Sequence, residues 1–279
     1  MNDYRPLCIE VGGVSLLLEI PSFAHGDLQH HYRDFLCEDS INPALRVSVH
    51  LEKKDVPDGA SRILDGVNLE LHQLDSQYFL RFRRDTAVAV LSESLDAADL
   101  YIEYENLSLL YRILPEFLIS TSLPRHGGLL VHASGVVGSK GGVLFAGPSG
   151  EGKTTLAAIA EERGFAVIND DRIVIRRSGS GFWMHGTPWW GEFREQSALE
   201  SPLDFMFFLV KDSRSFVEEI SKSRAAALLM ENSFGLSLNS IFRKARVDLC
   251  TQILDGVGTA ALHSKGDGSI WEALNEYLA

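Results

Sequence analysis

Cysteine, positive charge and long apolar stretches are all scarce in this sequence of 279 residues. The three cysteines, Cys8, Cys37 and Cys250, are scattered and include no Cys-x-x-Cys pair. Zinc sites and disulfide frameworks usually show paired or regularly spaced cysteines. We therefore expect no zinc site and no disulfide framework, and we predict a reducing, cytoplasmic compartment.

The hydrophobic pattern argues against a membrane protein. The longest unbroken apolar run is Phe205–Val210, whereas a helix needs about 20 apolar residues to span a bilayer. The first residues, MNDYRPLCIEVGG, include Asp3 and Glu10 and lack a basic segment followed by an apolar one. We therefore expect neither a secretory signal peptide nor a membrane partner.

Basic residues are outnumbered by acidic ones, 26 to 38, which gives a formal net charge of −12. Proteins that bind nucleic acid present a basic face to the phosphate backbone, so nucleic acid is not an expected partner. A single nucleotide is compatible with this composition, because it needs only local positive charge.

The chain divides by texture into two predicted domains. Residues 1–105 are expected to form a β-rich N-terminal domain that starts with a hairpin around Gly12-Gly13. The segment Asn106–Ser122 is apolar at helical spacing, with Pro115 as a kink or break, and it opens a second domain over residues 106–279. In that domain strands and helices are interspersed, which predicts an α/β fold with a mixed sheet.

The individual elements follow from apolar alternation, glycine turns and helical spacing. Strands are predicted at Cys8–Val11, Ser15–Ile20, Leu45–Leu51, Val67–Leu71, Tyr78–Arg83, Val88–Ser92, Gly128–Val137, Val143–Ala146, Ala166–Asn169, Ile173–Arg176, Phe182–His185, Pro202–Lys211 and Thr259–His263. Further helices are predicted at Thr154–Arg163, Ser223–Glu231, Leu236–Leu254 and Ser269–Leu278.

The most informative segment is a glycine-rich run, Gly147-Pro148-Ser149-Gly150-Glu151-Gly152-Lys153-Thr154-Thr155. Its spacing, G-x-x-x-x-G-K-[ST], is that of a phosphate-binding loop (P-loop, or Walker A motif). The glycines let backbone N–H groups face phosphate oxygens, Lys153 reaches the β- and γ-phosphates, and the Thr154 hydroxyl binds Mg²⁺. A predicted strand precedes the run and a predicted helix follows it. This order predicts a site for ATP and Mg²⁺ rather than a glycine turn that binds nothing.

Two further features carry candidate chemistry. Asp170-Asp171 follows the next predicted strand, where one carboxylate could bind Mg²⁺ and the other could take a proton from an attacking hydroxyl; the alternative is a solvated turn. The segment Gly186–Arg194 contains Trp189 and Trp190, which either cover a nucleotide or acceptor or pack in the core. Arg194 is a candidate phosphate contact. His132, on an apolar strand, is by itself more typical of a packed histidine.

The region from His132 to Asp171 resembles the catalytic half of HPr kinase/phosphorylase. That family has a histidine strand, a P-loop, a helix ending near Arg-Gly and a strand that closes in Asp-Asp, matched here by His132, Gly147–Thr154, Arg163-Gly164 and Asp170-Asp171. The region is also similar to ATP-dependent phosphoenolpyruvate carboxykinase. HPr kinases commonly have an acidic residue where this chain has Thr155. The Gly-Thr-Pro-Trp segment at Gly186 most resembles HPr-kinase-like proteins of peptide-modification gene clusters.

The resemblance implies an HPr kinase/carboxykinase-type P-loop domain, preceded by the β-rich domain. It implies a kinase, a transferase that moves the γ-phosphoryl of ATP to a hydroxyl, most often a serine, of a peptide or small protein. Asp170, Asp171 and His132 would be catalytic, with His132 steadying the phosphoryl group or orienting an aspartate. Two alternatives stay open: a nucleotide-binding regulatory protein without phosphotransfer, and a carboxykinase-like enzyme. A homo-oligomer also stays open.

Overall fold

The computed structural model describes residues 3–38, 42–66, 68–82, 87–138, 141–192 and 198–278. The chain forms two compact units, Met1–Ile119 and Ser120–Ala279. Each unit contains one eight-stranded sheet with both parallel and antiparallel neighbours, so the predicted mixed α/β class is confirmed. Val67, the first residue of one predicted strand, and Arg83, the last residue of another, lie outside the described residues.

The first unit is a sheet with strand order β1-β2-β3-β8-β7-β6-β5-β4 and one helix, α1 (Ser22–His31). Its strands are β1 (Tyr4–Val11), β2 (Val14–Pro21), β3 (Leu45–His50), β4 (Ser61–Asp65), β5 (Leu69–Leu74), β6 (Gln77–Phe82), β7 (Ala87–Leu91) and β8 (Ala97–Tyr101). The predicted hairpin is confirmed: Gly12 and Gly13 have φ of 56° and 72°, the left-handed values that a two-residue hairpin turn requires. The sequence reading missed β4, β8 and α1.

The prediction that the cysteines form no disulfide is wrong. Cys8 on β1 is joined to Cys37, 29 positions later. The chain returns to β1 after α1, where Ile9 pairs with Leu36 and the Cys37 N–H donates to the Cys8 carbonyl. Spacing along the sequence could not show this return. The argument from cysteines for a reducing compartment therefore does not hold. Cys250 is free and buried.

In the part of the chain that the structure describes, the second unit has eight strands and four helices, and α2 (Ile113–Ser122) leads into it. Its strands are β9 (Gly128–Gly138), β10 (Gly141–Ala146), β11 (Ala166–Asn169), β12 (Arg172–Ser178), β13 (Gly181–His185), β14 (Glu200–Lys211), β15 (Phe216–Glu219) and β16 (Gly258–Ser264). Its helices are α3 (Lys153–Glu162), α4 (Lys222–Glu231), α5 (Ser240–Gly256) and α6 (Ser269–Leu278). Short 3₁₀ helices lie at Arg33–Phe35, Tyr104–Leu110 and Leu123–His126.

The predicted strands and helices of this unit are confirmed, most of them with ends within two residues of the prediction, and β15 was missed. Helix α5 begins at Ser240 instead of Leu236, because the Asn239 side chain accepts hydrogen bonds from the amides of Ile241 and Phe242 and so caps the helix. Pro115 does not break a helix. It lies in the first turn of α2, where proline is tolerated.

Strand register brings the candidate residues together. β10 pairs with β9 so that Ala146, its last residue, faces Ala133. β12 pairs with the earlier part of β9 so that Arg172 faces His132. The end of β10 and the link between β11 and β12 therefore meet at the same point of β9. The Ala133 N–H donates to the Asp171 carbonyl (3.3 Å), and the Gly147 N–H donates to the His132 carbonyl (3.3 Å).

Two apolar clusters hold this sheet between helices. One side chain layer packs with α4 and α5 and includes Met184, Leu229 and Ile253. The other packs with α3 and α6 and includes Phe207 and Trp271. Burial of such side chains stabilises the sheet by about 1.5–3 kcal/mol for each large apolar residue. In the described ranges, no helix has the length and apolar character needed to cross a bilayer.

Candidate functional site

The glycine-rich run forms a loop between β10 and α3, in the order that the sequence predicts. Gly150 and Gly152 have φ of 88° and 96°, a region that residues with a Cβ rarely adopt. Gly152 is the N-cap of α3 and has no side chain to occupy the first amides of the helix. Those amides have no partner within a helix, and the helix dipole adds partial positive charge there. The loop therefore offers a place for an anion.

Lys153 is folded back onto this loop. Its side chain is 6% exposed, and Nζ donates to the carbonyls of Gly147 (2.8 Å) and Pro148 (2.9 Å). Burial lowers the pKa of Lys153, while the nearby carboxylates of Asp171, Asp170 and Glu151 act in the opposite direction. The ammonium group thus supports the curled loop and lies at the mouth of the anion site.

Asp170 is buried beside the start of α3. It is 1% exposed, and Thr154 Oγ1 donates to its Oδ2 at 3.4 Å. The backbone amides of Gly191 and Glu192 donate to Oδ1 and Oδ2, both at 3.0 Å. A Cβ at Gly191 would come within 3.0 Å of the Asp170 carboxylate, so only glycine permits this approach without a shift. The hydroxyl and carboxylate oxygens form a pair of hard donors, the type that Mg²⁺ prefers.

Asp171 lines the same cavity and is held at both carboxylate oxygens. His132 Nε2 lies 3.0 Å from Oδ1, and Arg172 Nη1 lies 2.6 Å from Oδ2. The side chains of His132 and Asp171 are each 20% exposed. The structure therefore places His132 against a catalytic candidate, which its position on an apolar strand did not indicate.

Asn169 and Thr187 support the candidate site through hydrogen bonds, and the sequence did not single them out. Asn169 Oδ1 accepts hydrogen bonds from the amides of Asp171 (2.9 Å) and Arg172 (3.0 Å). Its Nδ2 donates to the carbonyls of Thr187 (3.3 Å) and Trp189 (3.2 Å). Asparagine often bonds to backbone amides two and three residues later in turns. An asparagine directly before two aspartates was therefore a usable signal.

For Trp189 the structure shows the second of the two alternatives, packing in the core. Trp189 is 1% exposed, so it belongs to the core, while Trp190 is half-buried. The Asn169 bonds and the Gly191 amide tie this segment to Asp170. Arg194 lies outside the described residues, and its contact with a phosphate stays a prediction.

These groups surround a polar cavity of about 360 Å³. It is lined by His132, Ser149, Gly150, Gly152, Lys153, Thr154, Thr155, Asp170, Asp171, Gly191 and Glu192. Gly147, Pro148 and Glu151 shape the loop behind this lining. A second cavity of about 410 Å³ lies at the amino end of β10 and is lined mainly by apolar side chains. The polar cavity is the candidate site, because the loop, the lysine and both aspartates converge on it.

The residues of the polar cavity lie within a match to a known protein family. Residues 104–259, more than half of the chain, match the family described as SynChlorMet cassette protein ScmC. The chain belongs to this family. The matched region contains the residues that line the polar cavity. No curated protein matches the chain.

Proposed function

We propose that this ScmC-family protein is an ATP-dependent kinase with an HPr-kinase-like P-loop domain. It transfers the γ-phosphoryl group of ATP to a hydroxyl, in our proposal a serine of a peptide or small protein. The observation that carries the proposal is the convergence of four groups on one polar cavity. They are the loop with the start of α3, Lys153, the Thr154–Asp170 pair and the Asp171–His132 pair.

The nucleotide is held mainly by the loop. Phosphate oxygens accept hydrogen bonds from the first backbone N–H groups of α3. Lys153 exchanges its two carbonyl partners for phosphate oxygens. Thr154 and Asp170 would hold Mg²⁺, since their side-chain oxygens lie 3.4 Å apart. Within the described ranges, no group of three or more His, Cys, Asp or Glu side chains could hold a metal. Mg²⁺ does not need one, since it is usually bound by one or two carboxylates together with phosphates and water.

Asp171 is the proposed base. The acceptor oxygen attacks the γ-phosphorus, the bond to the β-phosphate oxygen breaks, ADP leaves, and the hydroxyl proton passes to the Asp171 carboxylate. His132 orients that carboxylate at 3.0 Å. Mg²⁺, when bound, neutralises charge on the phosphates. Such a reaction depends mainly on positioning and electrostatic stabilisation, which this small set of groups supplies.

The assignment of the acceptor rests on three observations: a resemblance, the family description and the composition. The chain resembles HPr-kinase-like proteins of peptide-modification gene clusters. The family that it belongs to is described as a cassette protein. The acidic composition also disfavours a nucleic acid as the acceptor.

One observation favours a second candidate, a nucleotide-binding accessory protein without phosphotransfer. Both aspartates are already engaged, Asp170 by two backbone amides and Asp171 by His132 and Arg172. If these contacts persist when ATP binds, the protein would hold the nucleotide without acting on it.

The two candidates predict the same nucleotide affinities for Lys153→Ala and Asp171→Asn, and they differ in whether a phosphoryl group is transferred. Calorimetry with Mg·ATP should show strong loss of affinity for Lys153→Ala and near-normal affinity for Asp171→Asn in both cases. With [γ-³²P]ATP and serine-containing peptides from neighbouring genes, a kinase labels a peptide, and Asp171→Asn lowers the rate about 10²–10⁴-fold.

Lys222→Ala is the matched control, since Lys222 is an exposed lysine at the start of α4 that pairs with Asp255 of α5. It should leave both readouts unchanged. Unchanged Mg·ATP affinity in a folded Lys153→Ala variant would contradict the nucleotide site. Nucleotide binding without labelling of any peptide would favour the accessory protein.

A further inference from the structure

Arg172 links the candidate site to a loop that the proposed reaction does not use. It is the first residue of β12 and pairs across the sheet with His132. Its Nη1 contacts Asp171 Oδ2 at 2.6 Å, and its guanidinium lies 3.9 Å from the ring centroid of Phe234. The Arg172 side chain is 14% exposed and is not part of the described lining of the polar cavity. It therefore touches the proposed base without facing the nucleotide.

Phe234 is itself fixed by the backbone. Its N–H donates to the Leu130 carbonyl at 2.8 Å, and the neighbouring Ser233 pairs with Val131. The segment after α4 thus runs beside β9 and contacts His132, whose N–H donates to the Asn232 carbonyl at 2.7 Å and whose ring centroid lies 5.8 Å from that of Phe234. The backbone therefore fixes the position of the Phe234 ring beside the Arg172 guanidinium.

We propose that Arg172 is a positioning residue for Asp171, and that Phe234 positions Arg172. A carboxylate held at one oxygen can rotate about its last bond, whereas contacts at both oxygens fix its plane. His132 supplies the first contact and Arg172 the second. A guanidinium placed over an aromatic ring is held there by cation–π attraction, and its rigid fork keeps an orientation that a lysine ammonium would not. This inference rests on the proposed kinase function.

The test measures ADP formation from Mg·ATP. The acceptor is the peptide that the wild-type protein phosphorylates in the labelling assay. Arg172→Ala should lower kcat about 10–100-fold and leave KM for ATP within about twofold, because only the base is misplaced. Phe234→Leu keeps an apolar side chain but loses the ring face, and should lower kcat about 3–10-fold. Phe234→Tyr restores the ring face and should restore kcat. Arg172→Lys should recover only part of the loss.

A double variant separates positioning from general damage to the fold. If Phe234 acts through Arg172, the Arg172→Ala/Phe234→Leu enzyme should be no slower than Arg172→Ala alone. Arg177→Ala is the matched control, because Arg177 lies on the same strand, stacks on Phe182 and is not near the cavity. It should leave kcat unchanged.

The outcomes distinguish this inference from the proposed function. A wild-type protein that labels peptides, together with Arg172→Ala at full kcat, overturns the inference alone. Independent losses that multiply in the double variant overturn the role of Phe234. A wild-type protein that binds Mg·ATP and transfers no phosphoryl group overturns the proposed function and the inference with it.

Discussion

Asn169 should be the strongest structural support of the candidate site, and replacing it tests the site's construction independently of any activity. The side chain is 3% exposed and makes bonds with four backbone groups, the amides of Asp171 and Arg172 and the carbonyls of Thr187 and Trp189. Asn169→Ala removes all four bonds at once. It separates the turn that carries the aspartates from the segment that follows β13.

The expected cost follows from these bonds. The Trp189 carbonyl keeps a share of the Thr187 hydroxyl, which lies 3.1 Å from it and 3.0 Å from the Arg172 carbonyl, so at least three groups lose the partner that Asn169 gives them. A buried polar group that loses its partner costs about 1–3 kcal/mol. The polar cavity nearby admits water, so we take the lower end and expect a loss of about 3 kcal/mol. For a unit of this size, that corresponds to a fall in Tm of about 6–12 °C.

The assay is thermal unfolding followed by circular dichroism at neutral pH. Asn239→Ala is the matched control: its side chain also accepts two amide bonds, at the exposed start of α5, and should cost only about 1 kcal/mol. If Asn169→Ala unfolds within about 2 °C of the wild type, or no earlier than Asn239→Ala, the structural role assigned to Asn169 is refuted.

Two further predictions concern the first unit. Cys8→Ser should destabilise it by about 2–4 kcal/mol, since the disulfide closes a segment of 29 residues, and should abolish any effect of reductant on Tm; a wild-type Tm that does not respond to reductant would contradict the bond. Burial lowers the pKa of His31, so the folded state favours the neutral ring, and its Nε2 bonds to the Tyr111 carbonyl at 3.0 Å. The unfolded chain therefore binds the proton more readily, and stability should fall as the pH drops from about 6.5 through the lower folded pKa. His31→Gln should flatten this part of the curve of unfolding free energy against pH, and an unchanged slope would contradict the assignment.

Local chemistry determined much of what the sequence could predict. The P-loop spacing, the apolar run of β10 and the alanine-rich α3 each depend on neighbours within a few residues, so the strand–loop–helix order could be predicted. The same holds for Asp170-Asp171 at the end of β11 and for the hairpin at Gly12-Gly13. Where a local signal was weak, as for the partly exposed β4 and the short β15, the element was missed.

Only the tertiary structure decided which of these residues meet. His132 reaches Asp171 because β9 pairs with β12 in a register that sets Arg172 opposite His132. Cys37 reaches Cys8, and Arg172 reaches Phe234, through chain returns of 29 and 62 positions. Trp189 is buried, and its carbonyl accepts a hydrogen bond from Asn169, 20 positions earlier in the chain. Register and chain return are fixed by the packing of whole sheets, and no short stretch of sequence contains that information.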